Sequence, residues 1–331
     1  MIDRLQAPLC VCWQLTRACD LSCVHCCNSC GPGRGWPGEL GREEAVRIAR
    51  VLVENRVPYV MLCGGEPLVV DHFLEVAEEL GNGGVEIKVE TNGQRMTERM
   101  AARLSRLPVR SIQVSLDADT QDVYARQRPG GSLEKAHAAC RAARKARLQL
   151  EVAFAPSRIN IRQAEAVIDR AASLGAFRFN TGALMRLGRA DPSWSRLGPS
   201  QEEYRLFREL LARKKSELAG RMELCYLPFT LQEGLEESLC SPPATLLMLP
   251  DGRVKVSGPL PFVCADLRTQ SLAEAWDSYR RAWRHPVLVR KAADVLAGER
   301  LLGKSGESTV LAGSGRDRRS HERADDSECD G

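Results

Sequence analysis

The sequence predicts an α/β fold: a parallel sheet wrapped by helices, followed by a small α+β C-terminal extension. Three observations carry this expectation. Short apolar runs alternate with amphipathic helical patterns from about residue 10 to residue 182, and this rhythm stops beyond residue 190. Hydrophobic residues make up 44% of the 331 positions, enough to fill a substantial core and to exclude wholesale disorder.

The strand candidates are Val11–Thr16, Tyr59–Cys63, Val85–Glu90, Ser111–Leu116, Leu148–Phe154 and Phe177–Thr181, each short and rich in apolar or β-branched residues. Between them, helices are expected over Arg42–Glu54, Asp71–Gly81, Thr97–Leu104, Leu133–Arg147 and Arg162–Leu174. The first has acids in its opening turn, and Asp71 is placed to cap the second. Successive β-then-α units predict right-handed crossovers. They leave open whether the sheet curls into a barrel. Either way, the loops at the C-terminal strand ends should carry the chemistry.

Pro199–Leu218 reads as a charged helix. Ala244–Leu249 and Val254–Val256 flank a Pro250-Asp251-Gly252 turn, and a further helix is expected at Ser271–Trp283. The domain expectation is a core over residues 1–195, an extension over 196–302 and a disordered tail over 303–331.

The cysteines are the informative residues. There are thirteen, and seven lie between Cys10 and Cys30. A disulfide framework suits small exported domains, and Met1–Gln6 lacks a signal-peptide layout; no run approaches the length of a membrane span. A formal charge of +4 gives no warrant for a nucleic-acid partner. The expectation is a cytoplasmic chain whose clustered thiols bind metal or do redox chemistry. Cys19, Cys23 and Cys26 follow the first strand directly. Alone they suit zinc, with His25, Cys27 or Cys30 as a fourth ligand, or an iron–sulfur cluster. Cys10 and Cys12 share one strand face, where core packing is expected, and Cys63 is expected as a small barrel-lining residue.

Cys19-x3-Cys23-x2-Cys26, with His25 before the last cysteine, resembles the signature of the radical S-adenosylmethionine (SAM) superfamily. Trp13–Arg17 resembles that family's first strand and its exit. Gly64-Gly65-Glu66-Pro67 resembles its GGEP turn, Thr91-Asn92-Gly93 its third strand end, and Ser115 with Asp117 its ribose-contacting group. Arg128 resembles the arginine that approaches the cofactor carboxylate, and Arg186-Leu-Gly188-Arg189-Ala190 a segment of the maturase branch.

The resemblance covers roughly residues 10–190 and implies a partial (β/α)6 TIM-like barrel. It implies a [4Fe–4S] cluster on Cys19, Cys23 and Cys26, with one iron left open for S-adenosylmethionine. It also implies a flavodoxin, ferredoxin or reductase as electron donor. Gly64, Gly65, Glu66, Pro67, Thr91, Asn92, Ser115, Asp117 and Arg128 are the implied cofactor contacts.

Cys240, Gly252 and Cys264 with Trp276 resemble a SPASM or twitch extension, although Ser257 stands where that pattern has a cysteine. Three readings stay open for Cys225, Cys240 and Cys264: one auxiliary cluster, a hydrogen donor such as Cys264, or ordinary buried thiols. The leading function is a radical enzyme acting on a peptide or cofactor precursor. A radical epimerase, dehydrogenase or dehydratase of a sugar or antibiotic precursor is the alternative. An iron–sulfur carrier or zinc module is the non-enzyme reading.

Overall fold

The computed structural model describes residues 2–297 and 309–311. Strands β1 (Cys10–Gln14), β2 (Tyr59–Cys63), β3 (Glu86–Thr91), β4 (Val109–Ser115), β5 (Leu150–Phe154), β6 (Arg178–Thr181) and β7 (Glu223–Cys225) lie side by side in sequence order, all parallel. On the other flank of β1 come β8 (Thr245–Met248), parallel to it, and then β9 (Arg253–Lys255) and β10 (Phe262–Asp266), antiparallel. β11 (Thr309–Val310) completes one eleven-stranded sheet. The sheet is open, with β7 and β11 as its edges, and does not close into a barrel.

Helices α1 (Arg42–Glu54), α2 (Phe73–Asn82), α3 (Glu98–Leu104), α4 (Gln121–Gln127), α5 (Leu133–Lys145) and α6 (Ala164–Ser173) connect the first six strands. The extension adds α7 (Trp194–Leu197), α8 (Gln201–Glu217), α9 (Leu231–Cys240), α10 (Leu272–Ala282) and α11 (Pro286–Leu296). Five helices begin on a Ser or Thr whose hydroxyl accepts a first-turn N–H: Thr97, Ser132, Ser200, Thr230 and Ser271. Each such cap is worth about 1 kcal/mol, so these boundaries are set locally. Asp71 is not a cap: α2 starts at Phe73 after His72, with no side-chain bond to its first turn.

Alternation along the strands divides the sheet into two faces. Val11, Trp13, Val60, Leu62, Ile87, Val89, Ile112, Val114, Val152 and Phe179 are fully buried in the main hydrophobic core. The intervening residues, including Cys12, Cys63, Lys88, Glu90, Gln113 and Glu151, alternate to the opposite face, where Cys63, Glu90 and Gln113 line a cavity.

The extension is no separate lobe. It supplies β7 beside β6 and β8 beside β1, so both flanks of the core sheet depend on it. Thr309 and Val310 fall inside the expected tail and pair with β10, and Leu311 donates its N–H to the Val263 carbonyl (3.1 Å); the rest of that stretch lies outside the described residues.

Candidate functional site

The loop after β1 is held from both sides. Leu15 donates its N–H to Cys63, Gly65 to Thr16 (2.7 Å) and Glu66 to Ala18 (3.0 Å), so the turn after β2 zips against the approach to the cysteines. This closeness requires glycine. A Cβ on Gly65 would sit 2.1 Å from the Ala18 carbonyl oxygen, and one on Gly64, at φ +134°, 2.6 Å from that of Thr16. From the far side, Arg189 donates to the carbonyls of Cys23 (2.8 Å) and Cys26 (3.0 Å), and Gly188 packs where any Cβ would strike the Cys26 and Cys27 carbonyls.

The loop turns three thiols into one small cluster. Cys19, Leu21, Cys23 and Cys30 are buried together, with Cys26 packed against them. Each of the three signature sulfurs faces an N–H donor. Cys19 Sγ accepts from Leu21 N (3.4 Å) and Asn92 Nδ2 (3.7 Å), Cys23 Sγ from Arg128 Nη1 (3.6 Å), and Cys26 Sγ from Cys30 N (3.4 Å). Such donors suit sulfur in its anionic form. Burial works against that form, pushing the Cys19 thiol up to about 12 and Cys23 upward as well. The Cys30 thiol, hydrogen-bonded to Cys26, is the main cause that brings Cys26 down to about 5. Positively charged iron would overcome the burial penalty, because ligation selects the deprotonated sulfur.

Three clustered thiols with N–H donors at their sulfurs are a donor set that suits an iron–sulfur cluster. A four-iron cube needs its thiolates spread around a larger body.

The thiols open onto a cavity of about 350 Å³. Gly64, Gly65, Thr91, Asn92, Ser115 and Arg128 all line it, together with Cys63, Glu90, Gln113, Phe154 and Met185. Three expected contacts stand behind that wall. Glu66 is wholly buried; Oε1 accepts from Thr91 Oγ1 (2.8 Å) and Leu68 N (3.1 Å), and Oε2 from Asn92 N (2.7 Å). Burial raises its carboxyl to about 7. Pro67 starts a short 3-10 turn beside it. Asp117, also wholly buried, accepts from Arg128 Nε (2.6 Å) and Ala155 N (2.8 Å), with His25 Nε2 at 3.3 Å. Both carboxylates thus position cavity residues. Burial drives the His25 imidazole down to about 4, so its ring is neutral beside the thiols.

Cys225, Cys240 and Cys264 are dispersed. Cys225 is on edge strand β7, Cys240 is exposed at the end of α9, and Cys264 is fully buried in β10 with its Sγ 3.5 Å from the Val254 carbonyl. None of them lines the cavity. Cys63 does line it, with the Cys12 sulfur 3.5 Å from its own.

A polar rank that starts at the cavity and runs on beside it carries no motif. Glu90, Gln113, Glu151, Arg178 and Glu223 are direct register neighbours across β3 to β7, forming a polar rank. Lys88 serves it, donating to Glu151 (2.9 Å) and Gln113 (3.0 Å). The visible signal was charge at alternate positions in strands of a parallel sheet, which otherwise read as continuous apolar runs.

Comparison with known proteins agrees with this geometry. Residues 13–171 match the radical SAM superfamily. The mycofactocin maturase of Mycolicibacterium smegmatis is 32% identical over 223 residues, covering 65% of this chain and 55% of that protein. The chain therefore spans little more than half of that relative's length. The AdoMet-dependent heme synthase of Methanosarcina barkeri is 28% identical over 299 residues, 84% of each chain. Streptococcus suis SuiB, solved with its precursor peptide SuiA, shares the fold with a TM-score of 0.68 at 13% identity, covering 88% of this chain and 68% of that one.

Proposed function

Since this chain carries a radical SAM domain, we propose that it is a radical SAM maturase of the SPASM/twitch branch, acting on a peptide or a cofactor precursor. Enzymes of this superfamily use a [4Fe–4S] cluster and S-adenosylmethionine. When bound, the two together supply a 5′-deoxyadenosyl radical able to remove a hydrogen atom from an unactivated carbon.

The single observation that carries the reading is the set of three clustered thiols, Cys19 and Cys23 buried and Cys26 partly so, each facing an N–H donor, on the wall of one cavity. Cys19, Cys23 and Cys26 would hold the cluster. Asn92 and Arg128 orient two of those sulfurs and also face the cavity, so they are placed to align the cofactor against its iron. Gly64 and Gly65 keep the wall thin enough for backbone approach. Phe154 and Leu184 help exclude water from the reacting atoms.

A maturase relative and a structural neighbour seen with its precursor peptide support a peptide substrate. The heme synthase similarity over most of both chains supports a cofactor precursor equally. One electron per turnover would come from a flavodoxin, ferredoxin or reductase, and the reducing cytoplasm is the compartment where such thiols persist. No helix among the described residues is long and apolar enough to cross a membrane.

The test is anaerobic reconstitution with iron and sulfide, followed by strong reduction with S-adenosylmethionine. Release of 5′-deoxyadenosine is expected; its absence from cluster-loaded protein would overturn the reading. Deuterium transfer from labelled peptides or porphyrin precursors into 5′-deoxyadenosine would then identify the bond broken.

A further inference from the structure

Glu90 and Gln113 line the cavity, and their rank runs on beside it through Glu151, Arg178 and Glu223, with Lys88 adjoining. Both cations are already engaged. Arg178 lies 2.9 Å from Glu223, and Lys88 lies 2.9 Å from Glu151 while also bonding Gln113. Asn180 adds a further bond to Glu151 (2.7 Å), and Ser111 another (2.6 Å), so that carboxylate is saturated from within.

Glu90 differs. Its ion-pair contact among the described residues is Lys88 at 3.7 Å, beyond hydrogen-bond reach, and its side chain keeps 32% of its surface. That surface opens onto the cavity, beside Cys63, Gln113 and Ser115. A carboxylate in this position has free acceptor sites aimed at whatever fills the cavity.

We infer that Glu90 is a substrate-recognition residue, and that the substrate presents a cationic nitrogen, an ammonium or guanidinium, to the floor formed by Glu90 and Gln113. The inference rests on the proposed radical SAM reading, with the substrate entering this cavity beside the cofactor, and it narrows the substrate class to amine- or guanidine-bearing molecules. The electrostatics favour such a guest, because a cation forms a charge-assisted bond with Glu90 where water is scarce. An anionic group would meet Glu90 directly. Burial pushes the Glu90 carboxyl upward, Lys88 pulls it back, and the neighbouring Glu151 carboxylate adds to the rise.

The test is a ligand-observed NMR titration of the reconstituted full chain with n-butylammonium, 1-butanol and butyrate, with saturating S-adenosylmethionine present. The ammonium should bind saturably, about tenfold or more tighter than the alcohol, and butyrate should bind weakest. Glu90→Gln should lower ammonium affinity by a similar factor and bring it level with the alcohol. Equal binding of the three probes to the wild-type chain would overturn the inference without any variant being needed. So would displacement of the ammonium by S-adenosylmethionine, which would assign Glu90 to the cofactor. The titration involves no turnover. A chain that binds the ammonium selectively and releases no 5′-deoxyadenosine overturns the proposed reaction and upholds the subsite; the converse result upholds the reaction and overturns the subsite.

Discussion

Cys19, Cys23 and Cys26 are the same residue type as Cys225, Cys240 and Cys264, in entirely different surroundings. The first three are packed together, each facing an N–H donor, on the wall of one cavity. The second three lie on an edge strand, at an exposed helix end and inside the core. The contrast teaches that thiol count says little about cluster binding. Shared space and donors aimed at sulfur say much more.

The strongest way to break this comparison is Cys23→Ala. It should abolish 5′-deoxyadenosine release and remove most of the roughly four irons expected per reconstituted chain, read by product chromatography and iron analysis. Next comes the support behind the sulfurs. Asp117→Ala leaves the Arg128 guanidinium buried without its 2.6 Å partner. Removing one member of a buried pair costs about 3–5 kcal/mol, measurable by denaturant unfolding. A loss under about 1 kcal/mol would show that the pair is not load-sharing.

Gly65→Ala tests the close approach of the two turns. Its Cβ would overlap the Ala18 carbonyl, so a loss of about 2–3 kcal/mol is expected. Gly258→Ala, with nothing within 4 Å, should stay within about 0.5 kcal/mol.

A pH scan probes Glu66, whose carboxyl rises to about 7 from an ordinary 4.5 because it is buried. The folded chain therefore binds its proton more tightly than the unfolded chain does. This contribution to stability is full below about pH 4.5 and is lost as pH rises through about 7. Glu66→Gln should flatten that slope in urea titrations across this window. At the small end, Cys240→Ala should change stability by under about 0.5 kcal/mol, since the residue is exposed. If it lowers iron content, the extension binds iron in a way the dispersed thiols do not suggest.

Much of this site was legible in the sequence because its parts are local. Cys19 to Cys26 share one loop, Gly64 and Gly65 one turn, and each lies directly after a strand that its own apolar alternation announces. Tyr59–Cys63 and Arg42–Glu54 fall where the pattern places them, since pattern and tertiary burial agree there. What stayed hidden depends on partners distant in sequence. Glu66 is an expected cofactor contact from its GGEP turn, and its carboxylate also ties down Thr91 and Asn92, which no local pattern announces. Likewise the rank from Glu90 to Glu223 exists only through register across five strands. β7, only Glu223–Cys225, is too short to stand out by composition.

The pairing of β1 with β8 has a consequence for how the chain is made. Cys10 aligns with Thr245, so the strand that leads into the cysteine loop gains its second neighbour only after synthesis has passed residue 245. Until then that strand presents an unpaired edge, the kind of surface that recruits other chains. The segment from β8 onward thus acts as a seam, closing late over the part of the molecule that is translated first.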